Sequence, residues 1–408
     1  MMAGTRWKHL LWRTVTAAGL AWWVASAAAQ APLPIRIGLI GPFSGPSSDF
    51  GIPMKNGAQL AVDEINAAGG YLGRPIELVV KDDTANPDVG LQRTQELMQE
   101  GVVATIGFCN TGVAMKSLDL FQNARSPLIV PCATGTPITA KYPAADSYVF
   151  RTSPRDALQA PFVVDDIVAR GWTKVAILAD KTGYGEAGMN DVVTALAAHG
   201  LKPVHIGRFD LGVKDLREAV KAAQDAGANV LFSYTVGAEA AVIAKARQAL
   251  KWNVTQVGAW PLSFPAFLQG AKDAAEGSLM AQTFIGEPSN ERRVAFLSAY
   301  ARKFETRKIA VPMAAAQAYD TVYLLSYALL SIRNGELNGP TIKSALENIK
   351  RVYYGVVTTH EQPFSRDDKD AISKNMLVMG IVRNGTVGFA YASDRTKNLI
   401  IQRKKTSS

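Results

Sequence analysis

The chain has 408 residues, 48% of them hydrophobic and 19% charged, with 20 prolines and a formal net charge of +9. This is an ordinary globular balance at a length that suits two domains. Lysines and arginines are scattered apart from the tail run Arg403 to Lys405, so the positive excess gives no footprint for nucleic acid.

At the N-terminus, Arg6, Lys8 and Arg13 precede an apolar stretch from about Val15 to Val24, which ends in Ala27-Ala28-Ala29. This pattern predicts a secretory signal peptide over residues 1–29, cut before Gln30. The apolar run is short for a bilayer span. No cysteine follows it to carry a lipid, and no later segment reads as membrane-spanning. The mature protein is therefore expected to be soluble and exported, with three basic residues fewer.

From Ile35 the chain alternates short apolar runs with amphipathic segments. The first set is IRIGLI (35–40), IELVV (76–80), VVATIGF (102–108) and SPLIVP (126–131). Between the first two, Ala58, Ala61, Val62 and Ile65 fall at helical spacing, and Gly69-Gly70 ends the helix. After RTSP (151–154) the plan repeats with KVAILAD (174–180), KPVHIGRF (202–209), NVLFSYT (229–235) and TQVGAW (255–260). Met189, Val192, Val193 and Leu196 form one helical stripe here, and Leu216, Ala219, Val220 and Ala223 another. Such alternation predicts parallel strands with crossover helices, and its repetition predicts two doubly wound α/β lobes. Beyond Gly277 a strand (277–284), a helical block from about Glu291 to Lys350 and a hairpin turning at Asn384-Gly385 follow. The helical block is expected on the first lobe and the hairpin on the second. The chain then crosses between lobes near Arg151, Phe284 and His360, which makes a three-strand hinge. The expected division is residues 30–151 with 284–360 in one lobe and 152–283 with 361–408 in the other.

GYGEAG (183–188) matches the spacing of a dinucleotide-binding turn. Asp180-Lys181-Thr182 separate it from its strand, however, where the dinucleotide turn is tight, so no cofactor is expected. Histidines 199, 205 and 360 form no catalytic or metal constellation, no G-x-S-x-G or G-K-S/T motif occurs, and the two cysteines have no histidine at metal spacing. Neither an enzyme nor a metal site is expected. Cys109 and Cys132 each follow an apolar run; they are either a disulfide between neighbouring strand ends or two buried thiols.

The opening IRIGLIGPFSGPSSDFGIPMKNGAQLAVDEINAAGGYLGRPIELVVKDDTANP resembles that of the periplasmic leucine/isoleucine/valine-binding proteins, which serve ATP-driven (ABC) importers. VVATIGFCNTG, SPLIVPCATGTPIT, YVFRTSP, DKTGYGEAG, DAAEGSLMAQTF and AQAYDTVYLL continue the likeness in order. The resemblance implies the type I periplasmic binding protein fold, a periplasmic monomer, a small carboxylate ligand and the permease subunits of an importer as partners. It places the carboxylate-holding positions on Asn110 or Thr111 and on Ala133 and Thr134. It puts a rim aromatic at Phe50, a lid tyrosine at Tyr184 and a further contact near Thr235. Of the last pair on its strand, either Tyr234 or Thr235 is expected to face the cleft, not both.

One departure bears on the ligand. The family's amino-acid binders usually carry an acid after the strand that here reads TQVGAW, and the matching position is Trp260. An ammonium group buried without a carboxylate partner is costly, whereas an indole suits an aromatic or apolar body. The expected ligand is a carboxylate without an α-amino group, such as a benzoate-like acid. The alternatives are a branched-chain or other amino acid, with Glu239 or Asp180 supplying the charge, and a ligand sensor of the same fold.

Overall fold

A computed structural model describes residues 32–333, 335–397 and 403–404; the expected signal peptide lies outside them. The first half runs β1 (Ile35–Gly41), α1 (Ser48–Ala67), β2 (Ile76–Asp82), α2 (Pro87–Gln99), β3 (Ala104–Gly107), α3 (Thr111–Asn123), β4 (Leu128–Val130), α4 (Pro137–Ala140) and β5 (Val149–Arg151). These strands form a five-stranded parallel sheet in the order β2-β1-β3-β4-β5. The chain then passes through α5 (Asp156–Ala169), β6 (Val175–Asp180), α6 (Gly183–Ala198), β7 (His205–Phe209), α7 (Arg217–Asp225), β8 (Val230–Tyr234), α8 (Glu239–Ala249), β9 (Thr255–Gly258), α9 (Pro265–Ala271) and β10 (Leu279–Gln282). Last come α10 (Glu291–Lys303), α11 (Pro312–Ser331), α12 (Gly339–Glu347), β11 (Tyr353–Tyr354), β12 (Thr359–His360), β13 (Val378–Arg383), β14 (Thr386–Phe389) and α13 (Ala392–Lys397).

The second sheet has seven strands in the order β14-β13-β10-β9-β8-β6-β7, parallel except that β13 runs against both of its neighbours, β10 and β14. Its central strands β6 and β8 are buried along their whole length, as both faces are covered by helices. The chain thus folds as two doubly wound lobes joined by three crossings: after β5, after β10, and between β12 and β13.

The helical block packs where its faces predict. The α1 stripe Ala58, Ala61, Val62 and Ile65 is buried, and α11 lies so close that a Cβ on Gly57 would stand 2.1 Å from the Ala315 carbonyl oxygen. The hairpin extends the second sheet through the β10–β13 pairing. Its turn residues Asn384 and Gly385 both have positive φ (51° and 66°), as the tight two-residue turn requires. The ribbon β11–β12 was not expected, because two-residue strands carry no readable alternation. No described helix is long and apolar enough to cross a membrane.

Candidate ligand site between the lobes

The carboxyl ends of both sheets face one another, the position where open α/β sheets bind ligands. On the first lobe, Asn110 and Thr111 open α3 directly after β3, and Ala133 and Thr134 follow β4. A disulfide joins Cys109 to Cys132, with Cα atoms 4.5 Å apart, so these two loops are tied immediately beside the residues they present. This decides between the two readings of the cysteines. The Asn110 amide donates to Ser47 Oγ at 3.4 Å, and its Oδ1 is buried without a partner. Thr111 Oγ1 accepts from the Gly135 amide at 3.1 Å.

Ala133 follows β4 beside the disulfide. Its backbone amide already donates to the Phe108 carbonyl at 2.9 Å, and its carbonyl accepts from Ser153 Oγ at 2.7 Å, so its main chain is committed to the fold. The Thr134 carbonyl accepts from Arg151 Nη1 and from the Asp156 amide, and its buried hydroxyl faces the Asp156 carboxyl and the Tyr184 phenol.

On the second lobe, Thr182 caps α6 by accepting from the Tyr184 and Gly185 amides, and Asp180 in turn accepts from the Thr182 amide and hydroxyl. This cap brings the Tyr184 ring to 5.0 Å from that of Tyr234. The Tyr184, Tyr234 and Thr235 hydroxyls are all buried; those of Tyr184 and Tyr234 face one another, and that of Thr235 completes no hydrogen bond. β8 ends at Tyr234, so strand alternation does not carry on to Thr235. The glycines of GYGEAG make room for protein groups rather than phosphate. A Cβ on Gly185 would meet the Asp180 carbonyl at 2.2 Å, and one on Gly188 would meet the Tyr234 ring at 1.9 Å.

The lobes touch across this region. Phe50, in the first turn of α1, lies 4.9 Å from the Phe264 ring and 6.5 Å edge-on from Trp260, building one aromatic wall from both lobes. Thr136 Oγ1 donates to Asp191 Oδ2 at 2.7 Å, and the α3 and α6 starts meet where a Cβ on Gly183 would stand 3.4 Å from Gly112 Cα. Two helix N-termini therefore converge, and their partial positive charges favour an anion.

The residue that sequence reading missed is Asp156, at the start of α5 beyond the first crossing. It is fully buried, and the Tyr234 and Thr134 hydroxyls face it. Burial raises its carboxyl to about 7, while those hydroxyls and the Arg151 charge pull it down and Asp191 pushes it up. Its Oδ1 accepts from Gln159 Nε2 at 3.0 Å, and Gln159 Oε1 accepts from the Trp260 amide at 3.2 Å, so the chain Asp156–Gln159–Trp260 links the polar cluster to the aromatic wall. Burial, then the Asp156 charge, lifts both the Tyr184 and Tyr234 phenols well above their usual range. Asp180 and Glu239, the acids expected to stand in for a missing charge, are engaged elsewhere: Asp180 with Thr182, and Glu239 Oε1 with the Gly212 amide at 2.7 Å.

Behind the loop, buried Arg151 fixes its path. Its Nη1 donates to the Thr134 and Gly135 carbonyls, Nη2 to Thr139 Oγ1 and Nε to Asp370 Oδ1 on the third crossing.

Two lobes meeting over buried hydroxyls, helix N-termini and an aromatic wall form a candidate ligand cleft. Residues 34–386 match the model of the periplasmic binding protein family, and the chain belongs to that family. Among curated relatives, Leu/Ile/Val-binding protein homolog 3 of Brucella melitensis is 32% identical over 52% of this chain, spanning 57% of the relative's length. BraC3, a Leu/Ile/Val-binding protein of Rhizobium johnstonii, is 27% identical over 78% of this chain and 84% of its own. The solved type 1 periplasmic binding protein of Bordetella pertussis superposes with a TM-score of 0.78 at 21% identity, covering 87% of this chain and 99% of its own. Substrate-binding LivJ of Streptococcus pneumoniae, in complex with isoleucine, gives 0.74 at 25% over 87% and 97%. A Rhodopseudomonas palustris solute-binding protein in complex with benzoate gives 0.74 at 19% over 88% and 95%.

Proposed function

We infer that this protein is the periplasmic substrate-binding component of an ABC importer, and that it shuts on a small carboxylate with an aromatic or apolar body. It works as a monomer, performs no covalent step and presents its shut form to the permease subunits. The two lobes are residues 30–151 with 284–360 and residues 152–283 with 361–408. The observation that carries the reading is the wall of Phe50, Trp260 and Phe264 beside the buried hydroxyls of Thr134, Tyr184 and Thr235. Hydroxyls and helix starts hold the carboxylate, and the rings hold its body. Asn110, bonded to Ser47, contributes from the start of α3, and Thr111 supports the 134–136 loop by fixing Gly135.

Asp156 favours a second reading. Ionised, it would partner the ammonium group of a branched-chain amino acid; neutral, it donates to a carboxylate. Calorimetric titration with benzoate, 4-hydroxybenzoate, leucine and isoleucine, on the native protein and on Asp156→Asn, separates the two. For an aromatic acid, Asp156→Asn retains binding and Trp260→Ala weakens it at least ten-fold, about 1.4 kcal/mol. Binding confined to amino acids, lost in Asp156→Asn, would establish the second reading.

A further inference from the structure

A cleft of about 770 Å³ lies outside the site just described, within the size range of about 300–1,000 Å³ typical of small-molecule sites. Its walls come from both lobes: α9 on one side, α10 and the 306–310 loop on the other, with the second crossing, Phe284–Glu287, running between them. None of the residues expected to hold the carboxylate lines it. Leu268, Phe284, Ile285, Leu297 and Ile309 make it apolar. At its edge Arg307 and Lys308 are exposed, and among the described residues neither side chain has an ion-pair or hydrogen-bond partner. The acid on the lining, Glu287, is already paired with Arg395 at 2.9 Å. The local balance is therefore an apolar trench with uncompensated positive charge at its rim.

We propose that this cleft is a second ligand site for an amphipathic monoanion of the medium-chain fatty carboxylate type. The carboxylate sits against Arg307 and Lys308, and the chain lies along Phe284, Ile285 and Leu297. Apolar burial supplies the affinity and the cations fix the orientation. Because both lobes contribute walls, the shape of the cleft depends on the angle between them. An occupant that fits it only while the lobes touch shifts the protein toward the shut form. By reciprocity it tightens the binding of the primary ligand by the same factor that the primary ligand tightens its own.

The test is a fluorescence titration of the purified protein with 11-(dansylamino)undecanoate, followed by displacement with decanoate. Saturable binding is expected, weakened at least ten-fold in the surface variant Arg307→Glu with Lys308→Glu, abolished in the cleft-filling Ala301→Trp, and not displaced by excess benzoate or leucine. If Ala301→Trp does not fold, the charge variant decides alone. The proposal is overturned by the absence of saturable binding, by binding that survives the charge variant, or by displacement of the probe by benzoate or leucine, which would place the probe in the primary site.

Discussion

Replacing Asp370 by Asn removes one charge from the clamp behind the ligand loop while leaving its shape nearly intact. Arg151 is fully buried, and its Nε donates to Asp370 Oδ1 at 2.6 Å. Its remaining donors reach the Thr134 and Gly135 carbonyls at 3.1 and 2.8 Å and Thr139 Oγ1 at 2.6 Å. Asp370 Oδ2 also faces Arg155 at 3.5 Å. Breaking one partner of a buried pair costs about 3–5 kcal/mol, because the other charge stays buried. An amide still accepts one hydrogen bond, so the lower end, about 3 kcal/mol, is expected for Asp370→Asn. The assay is urea denaturation followed by tryptophan fluorescence, with ligand affinity measured in parallel. Affinity should fall as well, since the 134–136 loop loses its fixed backing. The pH dependence has a definite sign. Burial alone would raise the Asp370 carboxyl, but the Arg151 charge and hydrogen bond, with Arg155 and Thr139, hold it below the usual carboxylate range. Its contribution is therefore complete above the unfolded carboxylate pKa of about 3.9 and is lost as pH falls through the depressed folded value. The gap between native and variant should be flat from pH 5 to 8 and shrink in more acid solution. A cost below about 1 kcal/mol with unchanged affinity would refute the reasoning.

Three further outcomes are expected. Asp156→Asn should be more stable than the native protein by an amount that grows from about pH 4 to about pH 7 and then levels off at roughly 4 kcal/mol, since a raised carboxyl pKa makes ionisation destabilising; denaturation at stepped pH values reads the difference. Removing the disulfide by Cys109→Ala with Cys132→Ala should cost about 3 kcal/mol for a crosslink spanning 23 residues, measured by denaturant midpoint in oxidising buffer. Gly188→Ala should cost about 1–3 kcal/mol and weaken ligand binding, because its methyl group displaces the Tyr234 ring; a titration of the variant measures both effects.

The strands were legible because sheets covered on both faces need uninterrupted apolar runs, and IRIGLI, KVAILAD and NVLFSYT became β1, β6 and β8. The helix stripes were legible for the related reason that only one face of α1 or α7 meets a sheet. Asp156 was not legible. An acid at the start of a helix reads as an ordinary dipole partner, and only the folding of α5 against Thr134 and Tyr234 buries it. The hydrogen bond from the Ala133 amide to the Phe108 carbonyl was not legible either, since sequence names a residue without saying where its amide points. The cysteine pair stayed open for the same reason, since the distance between the ends of β3 and β4 belongs to the sheet and not to either segment. The cleft beside the second crossing is assembled from five separate stretches, none with a pattern of its own.

The meeting of Gly112 and Gly183 makes closure a matter of bare backbone on backbone. A methyl group at 112 would find its nearest atom 3.9 Å away, at the Gly183 amide nitrogen, so alanine fits there while a bulkier residue would act as a spacer. Alanine, valine and leucine at this point form a graded set of doorstops that never touch the cargo, and the series could dial retention time without altering what the protein chooses to hold.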